Sequence, residues 1–205
     1  AGQLGITPDS HVVVYDDMSG ANAATRFWWM LKSIGFENAS ILDGGFDKWQ
    51  IEKRPISTDP CQYPTGTLTV SPQPGTFVGK AEVLSAIGDK STLIVNSLSE
   101  EQFAGQDPKF GRRGRILGSV NVPQKNLVHP NTYAFKTPEE IMRMFVAAGA
   151  DKAEKFITYC GSGIFASADA FWLYQLGHDN VAIYDNSLSE WAADPNLPME
   201  SDFPN

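Results

Sequence analysis

Apolar runs bounded by turn residues divide the chain into short strands and amphipathic helices. His11-Val12-Val13-Val14-Tyr15, Thr92-Leu93-Ile94-Val95, Lys155-Phe156-Ile157-Thr158-Tyr159 and Val181-Ala182-Ile183-Tyr184 are too short for helices and rich in β-branched or aromatic residues. Such runs predict strands buried on both faces. Between them the period becomes helical. At Thr137-Pro138-Glu139-Glu140 a helix starts, with Thr137 as N-cap, Pro138 in the first helical position and Glu140 returning a carboxylate to the cap. Ile141, Met144 and Phe145 make its apolar face, and Gly149 stops it. Glu100-Glu101-Gln102-Phe103 begins a helical turn, and another helix runs from about Ala166 to Leu176. The aromatic run Phe27-Trp28-Trp29-Met30-Leu31 lies inside a helix and reads as core rather than as a ligand box. Strands alternating with helices predict an α/β fold, a parallel sheet with helices on both faces. Ligand chemistry then belongs at the carboxyl ends of the strands.

The pattern also repeats. His11-Val12-Val13-Val14-Tyr15-Asp16 echoes Lys155-Phe156-Ile157-Thr158-Tyr159-Cys160, and Gly35, Asn38, Ile41, Asp43 and Trp49 recur at constant spacing as Gly177, Asn180, Ile183, Asp185 and Trp191. Self-similarity of this kind marks tandem units. The expected division is a first unit at 1–55, a linker at 56–75 dense in Pro, Ser, Thr and Gly, and a second unit at 76–205. Far fewer residues precede Asp16 than precede Cys160 in its unit, so the first unit is expected to be N-terminally truncated. Asp43 and Asp185 precede turns and are expected to bond loop backbones.

Composition narrows the function classes. With 42% hydrophobic residues among 205, the chain can bury a full core. A net charge of −8 argues against nucleic acid or an anionic membrane surface as partner. His11, His129 and His178 are scattered without a second ligand at metal spacing, so no metal and no cofactor is expected. The two cysteines, Cys61 and Cys160, provide no disulfide framework; a free thiol points to a reducing compartment, hence the cytoplasm. Cys61 falls in the linker and reads as incidental.

Cys160 carries the chemistry. The strand at 155–159 delivers it into Gly161-Ser162-Gly163-Ile164-Phe165, and a helix follows directly. Helix-start amides and the positive dipole end favour a thiolate there, and the glycines let backbone approach the sulfur. This loop, together with Gly118-Ser119-Val120-Asn121-Val122-Pro123 and Tyr184-Asp185-Asn186-Ser187-Leu188-Ser189-Glu190-Trp191, resembles the rhodanese-like sulfurtransferases. Cys-Gly-Ser-Gly is most similar to the mercaptopyruvate branch. The resemblance implies tandem rhodanese-like domains, with the first inactive because Asp16 and Asp17 stand where the second has a thiol and a glycine.

On that resemblance, Cys160 is the nucleophile and Ser162 orients or polarises the substrate, while Gly161, Gly163, Ile164 and Phe165 line the substrate site. Cations usual to the family are missing: Asn96-Ser97-Leu98 replaces its Asp-Ala-Arg, Gln102 an arginine, and Arg115 a histidine. Arg112, Arg113 and Arg115, on a run expected to be flexible, are therefore the candidates for the donor's anionic group. Three classes stay open. One is transfer of sulfane sulfur from 3-mercaptopyruvate or thiosulfate to a thiol or cyanide through a Cys160 persulfide. Another is a catalytically idle rhodanese-like binding module. The third, a cysteine phosphatase, needs an arginine where Ala166 stands. No reading of the sequence sets the oligomeric state.

Overall fold

The computed structural model describes residues 2–18 and 22–204. Its centre is a five-stranded parallel sheet formed by β3 (Phe77–Val78), β4 (Thr92–Asn96), β6 (Val120–Asn121), β7 (Lys155–Tyr159) and β8 (Val181–Tyr184), in the spatial order β3-β8-β7-β4-β6. β7 lies between β8 and β4, and Phe156, Ile157 and Tyr159 are essentially fully buried. That burial explains its unbroken apolar sequence. The register Asn96↔Tyr159 brings the ends of β4 and β7 level, so the segments that follow them meet.

Helices flank the sheet: α3 (Lys80–Ala86), α4 (Glu100–Ala104), α5 (Pro138–Ala147), α6 (Ala166–Gln175) and α7 (Ser187–Trp191). The expected cap of α5 forms as read. Glu140 N–H donates to Thr137 Oγ1 at 3.3 Å and Thr137 N–H to Glu140 Oε2 at 2.9 Å. Ile141 and Phe145 are buried beneath it, and Gly149 ends the run at φ 99°.

The N-terminal portion supplies β1 (Val12–Val14), α1 (Asn22–Ser33), β2 (Ala39–Ile41) and α2 (Gly45–Ile51), with β1 and β2 paired in parallel. It does not stand apart. Trp28 and Trp29 of α1 join the central core; Trp28 meets Phe171 of α6 edge-on at 4.9 Å, and the Trp29 indole N–H donates to Thr76 O at 3.0 Å. Asp43 Oδ1 accepts from the Phe135 amide at 2.7 Å, a backbone bond as expected, although across a long sequence separation. Asp185 departs from expectation, since its carboxylate takes Arg26 of α1 as an ion-pair partner at 2.6 Å.

No helix or strand occurs within 56–75, but this stretch is laid against the N-terminal portion. Gly66 N–H donates to Gly2 O at 2.9 Å, Ser71 N–H to Ile34 O at 2.9 Å and Gln73 N–H to Ser33 O at 2.8 Å. One short antiparallel pair, β5 (Arg115–Ile116) with β9 (Met199–Glu200), stands outside the parallel pattern. Among the described residues, no helix is long and apolar enough to cross a membrane and no cluster of His, Cys, Asp and Glu could hold a metal ion.

Candidate active site

Cys160 directly follows β7, and α6 begins at Ala166. The loop between them is held from outside. Leu188 N–H donates to Cys160 O at 3.1 Å, and Ser189 N–H and Oγ both donate to Gly161 O, at 3.0 and 2.7 Å. The carbonyls of Cys160 and Gly161 are thus occupied. None of the N–H groups of Gly161 to Phe165 donates to another protein group among the described residues. Five unpaired donors at the start of a helix form a seat for negative charge. Gly163 turns the loop at φ 78°, and a Cβ there would crowd Asp185 and Arg26.

The equivalent place in the N-terminal portion shows such a seat filled. Asp16 follows β1, and its carboxylate accepts from Met18 N–H at 3.2 Å and Ala24 N–H at 2.7 Å. An internal carboxylate there leaves no room for an external anion. Ser19 and Gly20 of that loop lie outside the described residues.

Cys160 opens onto a cavity of about 340 Å³ lined by Gly161, Ser162, Ile164, Phe165, Leu98, Gln102, Lys109, Phe110, Ser189 and, from the N-terminal portion, Met18. Of the expected loop residues, Gly161, Ser162, Ile164 and Phe165 line it, whereas Gly163 does not. A cavity of about 350 Å³ beside Tyr15, Phe46 and Trp49 has no cysteine on its wall.

The three arginines do not reach the cavity, and this corrects the expectation drawn from them. Arg112 donates to four carbonyl oxygens: those of Ala192 at 3.1 Å, Leu197 at 2.9 Å, Trp191 at 2.9 Å and Asp194 at 2.7 Å. Arg113 donates to Gly105 O at 2.9 Å and Gln106 O at 2.8 Å. Arg115 lies in β5 rather than on a flexible run, pairs with Glu200 and Asp202 at 3.1 and 3.0 Å, and covers the Phe103 ring. A guanidinium draws such partners because each buried carbonyl left without a donor is costly.

The rhodanese-like domain description matches residues 2–52 and 80–194. This chain belongs to the rhodanese family. It is 33% identical over 97% of its length to 3-mercaptopyruvate sulfurtransferase of Escherichia coli strain K12, covering 70% of that protein. It is 34% identical over 93% of its length to thiosulfate sulfurtransferase of Bos taurus, covering 65% of that protein. The anaerobic ergothioneine biosynthesis enzyme of Chlorobium limicola, solved with trimethyl histidine, superposes at a TM-score of 0.84 with 23% identity. That likeness spans 99% of this chain but only 54% of the other, and it speaks to fold alone.

Within this rhodanese-family site, three contributors were not singled out from sequence. Ser187 fixes the Cys160 backbone, its Oγ accepting from Cys160 N–H at 3.1 Å. Phe110 covers Gly161 so closely that a Cβ there would strike the ring. Lys109 lines the cavity beside it. Deeper in, Ser167 packs the start of α6 without capping it: its hydroxyl donates to Ile164 O at 2.5 Å and meets Thr25 Oγ1 of α1 at 2.9 Å.

Proposed function

We propose that this rhodanese-family sulfurtransferase moves sulfane sulfur from 3-mercaptopyruvate or thiosulfate to a thiol or cyanide acceptor through a persulfide on Cys160. The observation that carries the reading is the buried cysteine at the head of a loop whose amides have no protein acceptor among the described residues. The Cys160 thiolate attacks the donor's transferable sulfur and a sulfur–sulfur bond forms. From mercaptopyruvate the carbon–sulfur bond breaks and the enolate of pyruvate leaves with the electron pair, then takes a proton; from thiosulfate, sulfite leaves. The unpaired loop amides stabilise negative charge on the outer sulfur. An acceptor thiolate or cyanide then attacks that sulfur, and Cys160 leaves as thiolate. No net oxidation occurs and no cofactor is invoked.

Two other readings fit less well. A cysteine phosphatase needs a cation where Ala166 is fully buried. An idle module would have no use for an intact thiol facing an open cavity. Residues 1–55 and 76–205 are read as tandem units joined by 56–75, the first silent because Asp16 fills its own seat. Cys61 and Cys160 are both free, which favours a reducing compartment such as the cytoplasm.

The test is mass spectrometry of the peptide bearing Cys160 after exposure to each donor. Addition of one sulfur atom, lost in Cys160→Ser and retained in Cys61→Ser, is expected. Absence of sulfur on Cys160 with both donors would overturn the proposal.

A further inference from the structure

We infer that Lys109 holds the anionic end of the sulfur donor and that Arg112 and Arg113 serve to present it. The inference rests on the sulfur-transfer reading above. Among the described residues, Lys109 is the only basic side chain lining the Cys160 cavity, and no carboxylate lines it. Leu98 and Gln102, which also line it, carry no charge.

The geometry of the loop explains why the lysine, and not its arginine neighbours, faces the donor. Gly111 N–H donates to Pro108 O at 2.9 Å, closing a turn with Lys109 and Phe110 at its two central positions. Phe110 packs on Gly161, so the turn is seated on the nucleophile's own loop. Arg113 closes the base of the turn through the Gly105 and Gln106 carbonyls, and Arg112 ties it to the 191–197 segment. Lys109 itself makes no ion pair among the described residues, and its Nζ lies 5.9 Å from the Phe110 ring centroid. An unpaired ammonium on a pinned turn is a point charge free to meet a small anion. The ligand class is a small sulfur donor with one anionic end, a carboxylate or a sulfonate-like group.

Steady-state kinetics and alkylation together test this. Lys109→Ala should raise the donor KM by about 10- to 100-fold with kcat little changed, and Lys109→Arg should recover most of that loss. Anionic iodoacetate and neutral iodoacetamide both alkylate Cys160, and only the first is drawn by a cation. The ratio of their rates at Cys160 should therefore fall several-fold in Lys109→Ala, with the iodoacetamide rate unchanged. This readout needs no turnover. An unchanged KM, or an unchanged alkylation ratio, overturns the role of Lys109. Failure of the wild-type protein to take sulfur on Cys160 would instead sink the sulfur-transfer reading, whatever the alkylation ratio shows.

Discussion

Ser187 holds the backbone of Cys160 from a conformation that L-residues rarely adopt. Its φ is 51°, its Oγ accepts from Cys160 N–H at 3.1 Å, and the same hydroxyl donates to Tyr184 O at 2.7 Å. By the repeat spacing, Gly45 is its counterpart, at φ 57°, and there Phe46 N–H donates to Asp16 O as Leu188 N–H does to Cys160 O. Where the N-terminal portion relies on glycine, the catalytic portion tolerates a strained serine because both hydroxyl bonds are made.

Substitution at Ser187 separates strain from bonding. Ser187→Ala keeps the left-handed backbone and loses both bonds, so a loss of about 1–3 kcal/mol and slower turnover are expected. Ser187→Gly also loses the bonds but relieves the strain. The expected order in urea unfolding is wild type, then Ser187→Gly, then Ser187→Ala. If Ser187→Ala proved the more stable variant, the strain argument would be wrong.

Arg112 is a structural cation. Arg112→Ala strips donors from the carbonyls of Trp191, Ala192, Asp194 and Leu197, and a loss of at least about 2 kcal/mol is expected. Folded Arg112→Ala should raise the donor KM less than Lys109→Ala does, because it loosens the turn that carries the lysine without removing the charge. A large rise in KM without loss of stability would restore Arg112 as a direct substrate ligand.

Asp169 links stability to pH. It is fully buried in α6, takes one hydrogen bond, from Ser97 Oγ at 2.6 Å, and leaves Oδ1 without a partner. Burial raises its carboxyl well above the ordinary 3.8, outweighing the Ser97 bond that acts the other way. The folded protein thus keeps a proton that the unfolded chain releases. This contribution is fully present below the unfolded value and is lost as pH rises through the folded one, with a limiting slope of about 1.4 kcal/mol per pH unit. Asp169→Asn removes the slope. Relative to wild type, Asp169→Asn should gain stability in urea unfolding as pH rises above about 4. A difference that stays flat over that range would mean the carboxyl is ionised in the fold.

Donor preference follows from counting charges at the cavity. No Lys or Arg lies between Cys160 and Phe165, and Lys109 alone lines the wall among the described residues. One positive charge matches the single carboxylate of 3-mercaptopyruvate better than the dianion of thiosulfate, so kcat/KM is expected to be higher for mercaptopyruvate. Assay of both donors under the same conditions decides it. A clear thiosulfate preference would show that the loop amides supply more of the binding than the cation does.

The elements and the candidate nucleophile were legible along the chain because their signals are local. The capping box of Thr137 and Glu140, the apolar run at 155–159 and the Gly-rich loop after Cys160 each depend on residues a few positions apart. Repeat spacing likewise exposed Asp16 as the counterpart of Cys160. Only the tertiary structure decided which charges face the cavity. Arg112 finds its carbonyls about eighty residues onward, and Arg26 of α1 crosses to Asp185 and to Gly163 O at 3.5 Å. An arginine on a loop reads the same in sequence whether its donors end on backbone or on substrate. Its partners are fixed by strand order, which brings the ends of β4, β7 and β8 side by side. The same register seats Phe110 on Gly161 and leaves Lys109, the residue with no local signal of its own, on the wall of the cavity that Cys160 lines.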